Sequence, residues 1–404
     1  MLKIYKKAKD IKQIRNCFPS LAYSDLTYLD NAASSQTVDS SIKAVSDYHY
    51  NYRANVHRGD FKTSTIASEK YDEARVEVAK LINAEPHEIA FTNGTTASLN
   101  IIADWTPLEP TIIMTEVEHH SNILPWMQQG RTRANGQLVI VPSNDEGNVD
   151  VNAWYEAVKD NPGSTCSFLT QSNFTGQELP WQQMIMIAKE HDCEVVIDAC
   201  QSIGHKPIDV KKNDIDWMAF SGHKMYASTG TGVLYHKGGF DDVQTWLGGG
   251  TITQCDFDTF TLKRGPERME AGTPNVAGVH SLGAAAKWIQ DITYDEIHEC
   301  EAEFFNMLKD KGLFDIEQLE LIGPIKPNSV YSFKVKGTSP SDLAGFLDMQ
   351  NVCVRTGHMC AYPASFKYTN NEGILRVSSA PYNDEHDCVK LVEGLWQAIE
   401  KMKL

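Results

Sequence analysis

Val195-Val196-Ile197-Asp198 and Trp217-Met218-Ala219-Phe220-Ser221-Gly222-His223-Lys224 are the stretches on which the fold of this chain turns. Each is a short, unbroken apolar run closed by a charge or a polar turn, the pattern of a strand buried on both faces of a sheet. Working outward, the pattern recurs in Ile89-Ala90-Phe91, Thr111-Ile112-Ile113-Met114, Leu138-Val139-Ile140-Val141, Cys166-Ser167-Phe168-Leu169 and Gly232-Val233-Leu234-Tyr235. Amphipathic segments such as Trp181 to His191 separate the runs, so the spacing predicts an α/β domain with a mainly parallel sheet covered by helices. Ligands of such sheets bind outside the carboxyl ends of the strands. Asn93, Glu118, Asn173, Asp198 and Ser221 each follow a run and are expected to converge there. Beyond Asn275 the pattern changes to helices near 277–289 and 294–311, strand-like Ser329-Val330-Tyr331-Ser332-Phe333 and Val352-Cys353-Val354, and a closing amphipathic stretch. On that last stretch Val389, Val392, Leu395, Trp396 and Ile399 share a face. These elements predict a smaller α+β domain that includes the N-terminal helix.

With 404 residues, 42% of them hydrophobic, the chain can fill the cores of about two or three domains. A formal net charge of −16 argues against a nucleic-acid footprint, which needs a basic patch. No apolar run approaches the roughly 18 residues of a membrane span. Near the N-terminus, Lys3, Lys6, Lys7, Lys9, Lys12 and Arg15 suggest a targeting peptide, but no apolar core or cleavage site accompanies them. Ile4, Ile11 and Ile14 fit one face of a terminal helix instead. Nine cysteines, an odd number without a Cys-x-x-Cys, fit a reducing cytoplasmic setting better than a disulfide scaffold. Cys353, His358 and Cys360 lack a second ligand pair at zinc spacing, so no metal site is expected.

Lys224 and Asp198, at the ends of two buried strands, are the charges that pyridoxal phosphate needs: an amine for a Schiff base and a carboxylate facing the pyridinium nitrogen. Either alone reads equally as a surface lysine or a turn cap. Gly94-Thr95-Thr96 precedes a helical run, where hydroxyls and free N–H groups form an anion site or a plain N-cap. His119, after Glu118, reads as a satisfied loop histidine or a proton carrier. Arg376, inside Ile374-Leu375-Arg376-Val377-Ser378, must meet an anion, either an internal carboxylate or a substrate's. Cys166, Cys193, Cys200 and Cys353 read as buried, inert thiols. Cys360 differs, because it lies in the Gly- and His-containing loop Thr356-Gly357-His358-Met359-Cys360-Ala361-Tyr362-Pro363, where a thiolate is accessible.

Taken in order, Tyr28-Leu29-Asp30-Asn31-Ala32-Ala33, Asn93-Gly94-Thr95-Thr96, Glu118-His119-His120-Ser121-Asn122, Asp198-Ala199-Cys200-Gln201, Ser221-Gly222-His223-Lys224, Glu270-Ala271-Gly272-Thr273-Pro274-Asn275 and Arg355-Thr356-Gly357-His358-Met359-Cys360-Ala361 resemble the class V aminotransferase-fold enzymes. They are most similar to the group II (SufS-like) cysteine desulfurases and selenocysteine lyases. The resemblance covers the chain from about Phe18 to the C-terminal helix. It implies a type I pyridoxal-phosphate fold, with a large domain over 21–292 built on a seven-stranded sheet, and a small one formed by 1–20 and 293–404 that carries the Cys360 loop and Arg376.

The resemblance further implies that Thr95, Thr96, Ser221 and His223 surround the cofactor phosphate and that Thr273 reaches the phosphate of a partner subunit in a homodimer. His119 is then the ring-stacking and proton-transfer histidine. Gln201 and Asn173 bond the phenolic oxygen and the substrate carboxylate region, Arg376 takes the carboxylate of L-cysteine, and Arg355 shapes the same region. Cys360 accepts sulfur as a persulfide for an acceptor protein in Fe–S assembly or another sulfur-transfer pathway. Selenocysteine lyase chemistry on L-selenocysteine, another class V reaction and an inactive cofactor-bound scaffold are the rivals. Met359, Gln171 and Ala227-Ser228 depart from the family pattern, in which a histidine, a histidine and Gly-Pro are common, leaving substrate preference, rate and acceptor open.

Overall fold

A computed structural model describes residues 11–106, 111–132, 137–243 and 246–403. All seven apolar runs become strands of one sheet: β1 (Ile89–Thr92), β2 (Thr111–Thr115), β3 (Gln137–Val141), β4 (Thr165–Leu169), β5 (Glu194–Asp198), β6 (Trp217–Ser221) and β7 (Gly232–His236). Their order across the sheet is β1-β7-β6-β5-β4-β2-β3. Every neighbouring pair is parallel except those made by β7, which runs against both β6 and β1. The reason is the link. Residues 222–231, which carry Lys224, are too few for a helical crossover, so β7 folds straight back along β6.

Alternation along the strands divides the core. Ile112, Met114, Val196, Trp217 and Ala219 belong to one apolar cluster with Leu99 and Ile102 of the helix Thr95–Trp105. Ile113, Val195, Ile197, Met218 and Phe220 point to the opposite cluster, with Trp154, Met184 and Leu282 from the helices of the other face. A sheet buried on both sides has only its strand ends free for chemistry.

The C-terminal part holds an antiparallel sheet of four strands, β8 (Leu319–Ile322), β9 (Val330–Val335), β10 (Arg355–Gly357) and β11 (Ile374–Ser378), in the order β8-β9-β11-β10. The helices Tyr294–Asp310, Pro340–Asp348 and Glu385–Met402 complete its core. The expected strand Val352–Val354 divides: Val352 and Cys353 pair with Thr27 and Tyr28, whereas the chain then crosses to β11 as β10. On the last helix the buried stripe is Cys388, Leu391, Leu395 and Ala398, so Trp396 is exposed and Val389 only half-buried. Cys353 is likewise half-buried, not enclosed as expected.

Of the expected N-terminal helix, Ile4 and its flanking lysines lie outside the described residues; Ile11 and Ile14 are buried. This segment touches both parts of the molecule. Phe18 packs against Tyr226, Trp288 and Tyr382, and Arg15 donates to Asp387 at 2.8 Å. Among the described residues no helix is long and apolar enough to cross a membrane.

Candidate active site

A cavity of about 330 Å³ opens at the carboxyl ends of β4, β5 and β6, where the C-terminal part closes over the sheet. At one end it meets the N-terminus of the helix Thr95–Trp105. Gly94 precedes that helix at φ 140°, a conformation that requires glycine, and a Cβ on Gly232 of β7 would lie 2.4 Å from the Gly94 Cα. Two glycines thus let the turn press against the sheet. The Thr95 hydroxyl lies 2.8 Å from both Ser221 Oγ and Cys200 Sγ, while the Thr96 hydroxyl meets Ser121 Oγ at 2.8 Å. This hydroxyl cup, with His223 beside it and the positive end of the helix dipole beneath, suits a phosphate.

Lys224 follows on a single tight turn, Gly222–Lys224, anchored where the Ser35 N–H donates to the His223 carbonyl at 2.8 Å. Among the described residues its amine has no hydrogen bond or ion pair. Asp198, closing β5, accepts from the Cys200 N–H at 3.0 Å. Burial raises its carboxyl above the ordinary range, against that bond and the Lys224 charge, which lower it. Burial also pushes the Cys200 thiol up to about 11, keeping it protonated despite its place on the cavity wall.

His119 also lines the cavity, just before the helix His120–Thr132. Burial first, then the Lys224 charge, brings its pKa down to about 3, so the ring is neutral. The Ser121 N–H donates to Nδ1 at 3.0 Å, which leaves the proton on Nε2. Strand β2 ends at Thr115, and beyond it Glu118 turns inward. It accepts from Thr115 Oγ1, Asn122 Nδ2 and the Leu169 N–H. Burial raises it to about 8. Glu118 therefore fixes the turn that presents His119 and does not line the cavity. Asn93 also misses it, lining a neighbouring hollow with Trp246.

The outer wall comes from the C-terminal part. Arg376 on β11 faces Arg355 on β10 across the register, and Asp30 separates the two charges. Asp30 accepts from Arg355 Nε at 3.0 Å and Nη2 at 2.8 Å, and from Arg376 Nη2 at 3.2 Å. Arg376 thus meets an internal carboxylate, and its Nη1 also donates to the Asn173 carbonyl at 3.0 Å. Burial lowers its pKa to about 10, which leaves it charged at neutral pH. Gln201 donates to the Ala32 carbonyl at 2.9 Å, and Asn173 to the Met359 carbonyl at 2.6 Å. Cys360 lies exposed at the same cavity, on a loop whose Met359 and Cys360 both adopt φ 53°.

Arg376 Nε, Asn173 Oδ1 and Gln171 Oε1 are buried without a partner, and all three residues line the cavity. Groups so placed lack something polar to bind. Together with a hydroxyl cup, an unpaired lysine and a buried aspartate, they fit pyridoxal phosphate with an amino-acid carboxylate. Thr273 lies elsewhere, on a second hollow of about 250 Å³ with His57, Arg58 and Lys263. Among the described residues no cluster of His, Cys, Asp or Glu is arranged to hold a metal. Two residues of the site were not singled out for it by the sequence. Asp30 stood only as part of the segment Tyr28 to Ala33, because the two arginines it bridges lie more than 300 residues away; Cys200, which lines the cavity, could have been found from its neighbours Asp198 and Gln201.

Residues 27–391 match the family described as aminotransferase class-V. A probable cysteine desulfurase from Pyrococcus abyssi is 37% identical over 392 residues, covering 94% of this chain and 96% of that protein. An Escherichia coli cysteine desulfurase is 34% identical over 400 residues, with 95% and 97% covered. Among solved structures, the apo cysteine desulfurase from Thermococcus onnurineus has a TM-score of 0.90 at 33% identity, over 96% of this chain and 98% of that one.

Proposed function

The chain belongs to the class-V aminotransferase family, and from that membership we propose that it is a pyridoxal-phosphate-dependent cysteine desulfurase. It converts L-cysteine to L-alanine and leaves the sulfur as a persulfide on Cys360. The observation that carries the reading is an exposed cysteine on the same cavity as Lys224, Asp198 and Arg376. Residues 21–292 form its cofactor-binding domain, and 1–20 with 293–404 the domain that brings Cys360 and Arg376.

When bound, pyridoxal phosphate supplies an electron sink for charge developing at the substrate Cα. Thr95, Thr96, Ser221 and His223 would hold its phosphate, Asp198 would keep its ring nitrogen protonated, Gln201 would bond its phenolic oxygen, and His119 would stack on the ring. Arg376, assisted by Asn173 and Arg355, grips the cysteine carboxylate and so aims its sulfur outward. Lys224 Nζ moves the Cα proton. The Cys360 thiolate then attacks the substrate sulfur: the S–S bond forms, the carbon–sulfur bond breaks with its electron pair left on carbon, and protonation of that fragment gives L-alanine. The persulfide passes to an acceptor protein, in Fe–S assembly or another sulfur-transfer route.

The test incubates wild-type protein and Cys360→Ser with L-cysteine and with L-selenocysteine, following alanine and the persulfide mass on Cys360. Wild type should yield both products from L-cysteine, and Cys360→Ser should bind cofactor yet form no persulfide. Persulfide retained by Cys360→Ser moves the acceptor elsewhere; turnover of L-selenocysteine alone assigns the protein to the lyases.

A further inference from the structure

We infer that His120 is a positioning residue for the sulfur-accepting loop, setting where the Cys360 thiol stands without touching substrate or cofactor. The inference rests on Cys360 being the sulfur acceptor. His120 begins the helix His120–Thr132 and is tied to the loop at Cys360 itself and two residues beyond it, at Tyr362. Its backbone N–H donates to the Cys360 carbonyl at 2.8 Å, and its Nε2 accepts from the Tyr362 N–H at 3.0 Å. The ring stacks on Tyr362, with centroids 5.3 Å apart and planes at 15°, and Tyr362 stacks in turn on His358 at 4.6 Å and 28°. A column of three rings therefore spans the segment that contains the thiol.

The loop needs such fastening. Met359 and Cys360 are consecutive non-glycine residues in the left-handed region, a pairing that neighbouring structure must hold in place. Asn173 Nδ2 secures the Met359 carbonyl at 2.6 Å, so one peptide is held from β4's side and the next two from His120. Acceptance at Nε2 requires that nitrogen to be unprotonated, and partial burial lowers the His120 pKa, which favours the neutral ring. The backbone N–H bond to Cys360 does not involve the side chain and is kept by Phe or Gln at 120. The bond to Tyr362 and the stack depend on the side chain alone, and this makes the role separable.

The experiment measures two rates in cofactor-loaded protein: alkylation of Cys360 by iodoacetamide, and persulfide formation on Cys360 from L-cysteine. His120→Phe keeps a ring to stack but no acceptor, and His120→Gln keeps an acceptor but no ring. His120→Phe should slow persulfide formation by about tenfold or more, since a thiol misplaced by an ångström loses alignment with the substrate sulfur. It should also change the alkylation rate, leaving cofactor absorbance and the KM for L-cysteine as in wild type. His120→Gln should recover part of the loss. Wild-type values of both rates in His120→Phe would overturn the inference, as would a loss of rate that only tracks lost cofactor absorbance. A changed alkylation rate together with no persulfide on wild-type Cys360 would uphold the positioning role and sink the desulfurase reading instead.

Discussion

Arg376 commits one nitrogen to Asp30 and another to the Asn173 carbonyl, and retains Nε without a partner inside a buried wall. A planar guanidinium can hold those two fixed bonds and still offer donors to a third group, whereas an ammonium is a single point of charge. Asp30 makes the arrangement possible by standing between Arg376 and Arg355, which would otherwise repel each other across the β10–β11 register. Arg376→Lys should therefore fold and bind cofactor but hold L-cysteine poorly. Loss of a charged hydrogen bond of about 1.5–3 kcal/mol corresponds to a KM raised about 10- to 100-fold. Steady-state kinetics would check this, and an unchanged KM would place the carboxylate site elsewhere.

At the scale of elements, Glu270 joins three of them. Its carboxylate accepts from Arg75 Nη1 at 2.8 Å and Nη2 at 3.0 Å, from the Tyr71 hydroxyl at 2.9 Å and from the β1 N–H of Phe91 at 2.8 Å. The helix Lys62–Leu81, the sheet edge and the Thr273 loop all hang on it. Glu270→Ala leaves the buried Arg75 guanidinium uncompensated, so unfolding in urea should show about 3–5 kcal/mol of lost stability. Most of the strands were legible in the sequence because burial on both faces makes them compact apolar words, and their ends gave Asp198, Ser221 and Lys224 directly; the edge strand β3, with Leu138 and Ile140 exposed, was legible from its aliphatic run alone. Direction was not. β7 reverses because its link to β6 is short; that spacing is in the sequence, but the apolar runs themselves carry no sign of strand direction. The helices Pro340–Asp348 and Tyr362–Thr369 also escaped notice, being short and weakly periodic, as did the path from Val352 through β10 to the Cys360 loop. Contacts such as Asp30 with two arginines exist only once distant strands meet.

At the scale of the whole molecule, a buried histidine sets a pH dependence of stability and one exposed surface bears on assembly. His280, buried between the helices Val276–Ile292 and Asp39–Asn51, has its pKa brought down to about 4 by burial, against the Ala67 carbonyl bond. Between the ordinary value of 6.5 and 4 the unfolded chain takes up this proton and the folded one does not, so stability falls as pH falls through that window. The loss is roughly 3 kcal/mol at its full extent. His280→Phe should flatten the fall of Tm between pH 6.5 and 4: it retains the contact with Tyr48 and gives up the 3.3 Å Nε2 bond to the Ala67 carbonyl together with an Nδ1 that has no partner. The surface evidence concerns Thr273, which lies apart from its own chain's cavity, near a hairpin of Ile252–Cys255 and Phe260–Leu262. Trp246, Leu247, Phe257 and Phe260 are exposed on that same stretch, and exposed apolar concentrations of this kind mark interaction surfaces. If Thr273 completes the phosphate site of the partner, a Lys224→Ala chain and a Thr273→Ala chain are each impaired alone but assemble into heterodimers with one site free of both substitutions. Statistical mixing would leave roughly a quarter of all sites intact, so co-expressed variants should regain about that share of wild-type alanine formation. Sites built within one chain would show no recovery, and a fully active monomer in sedimentation would refute the composite site outright.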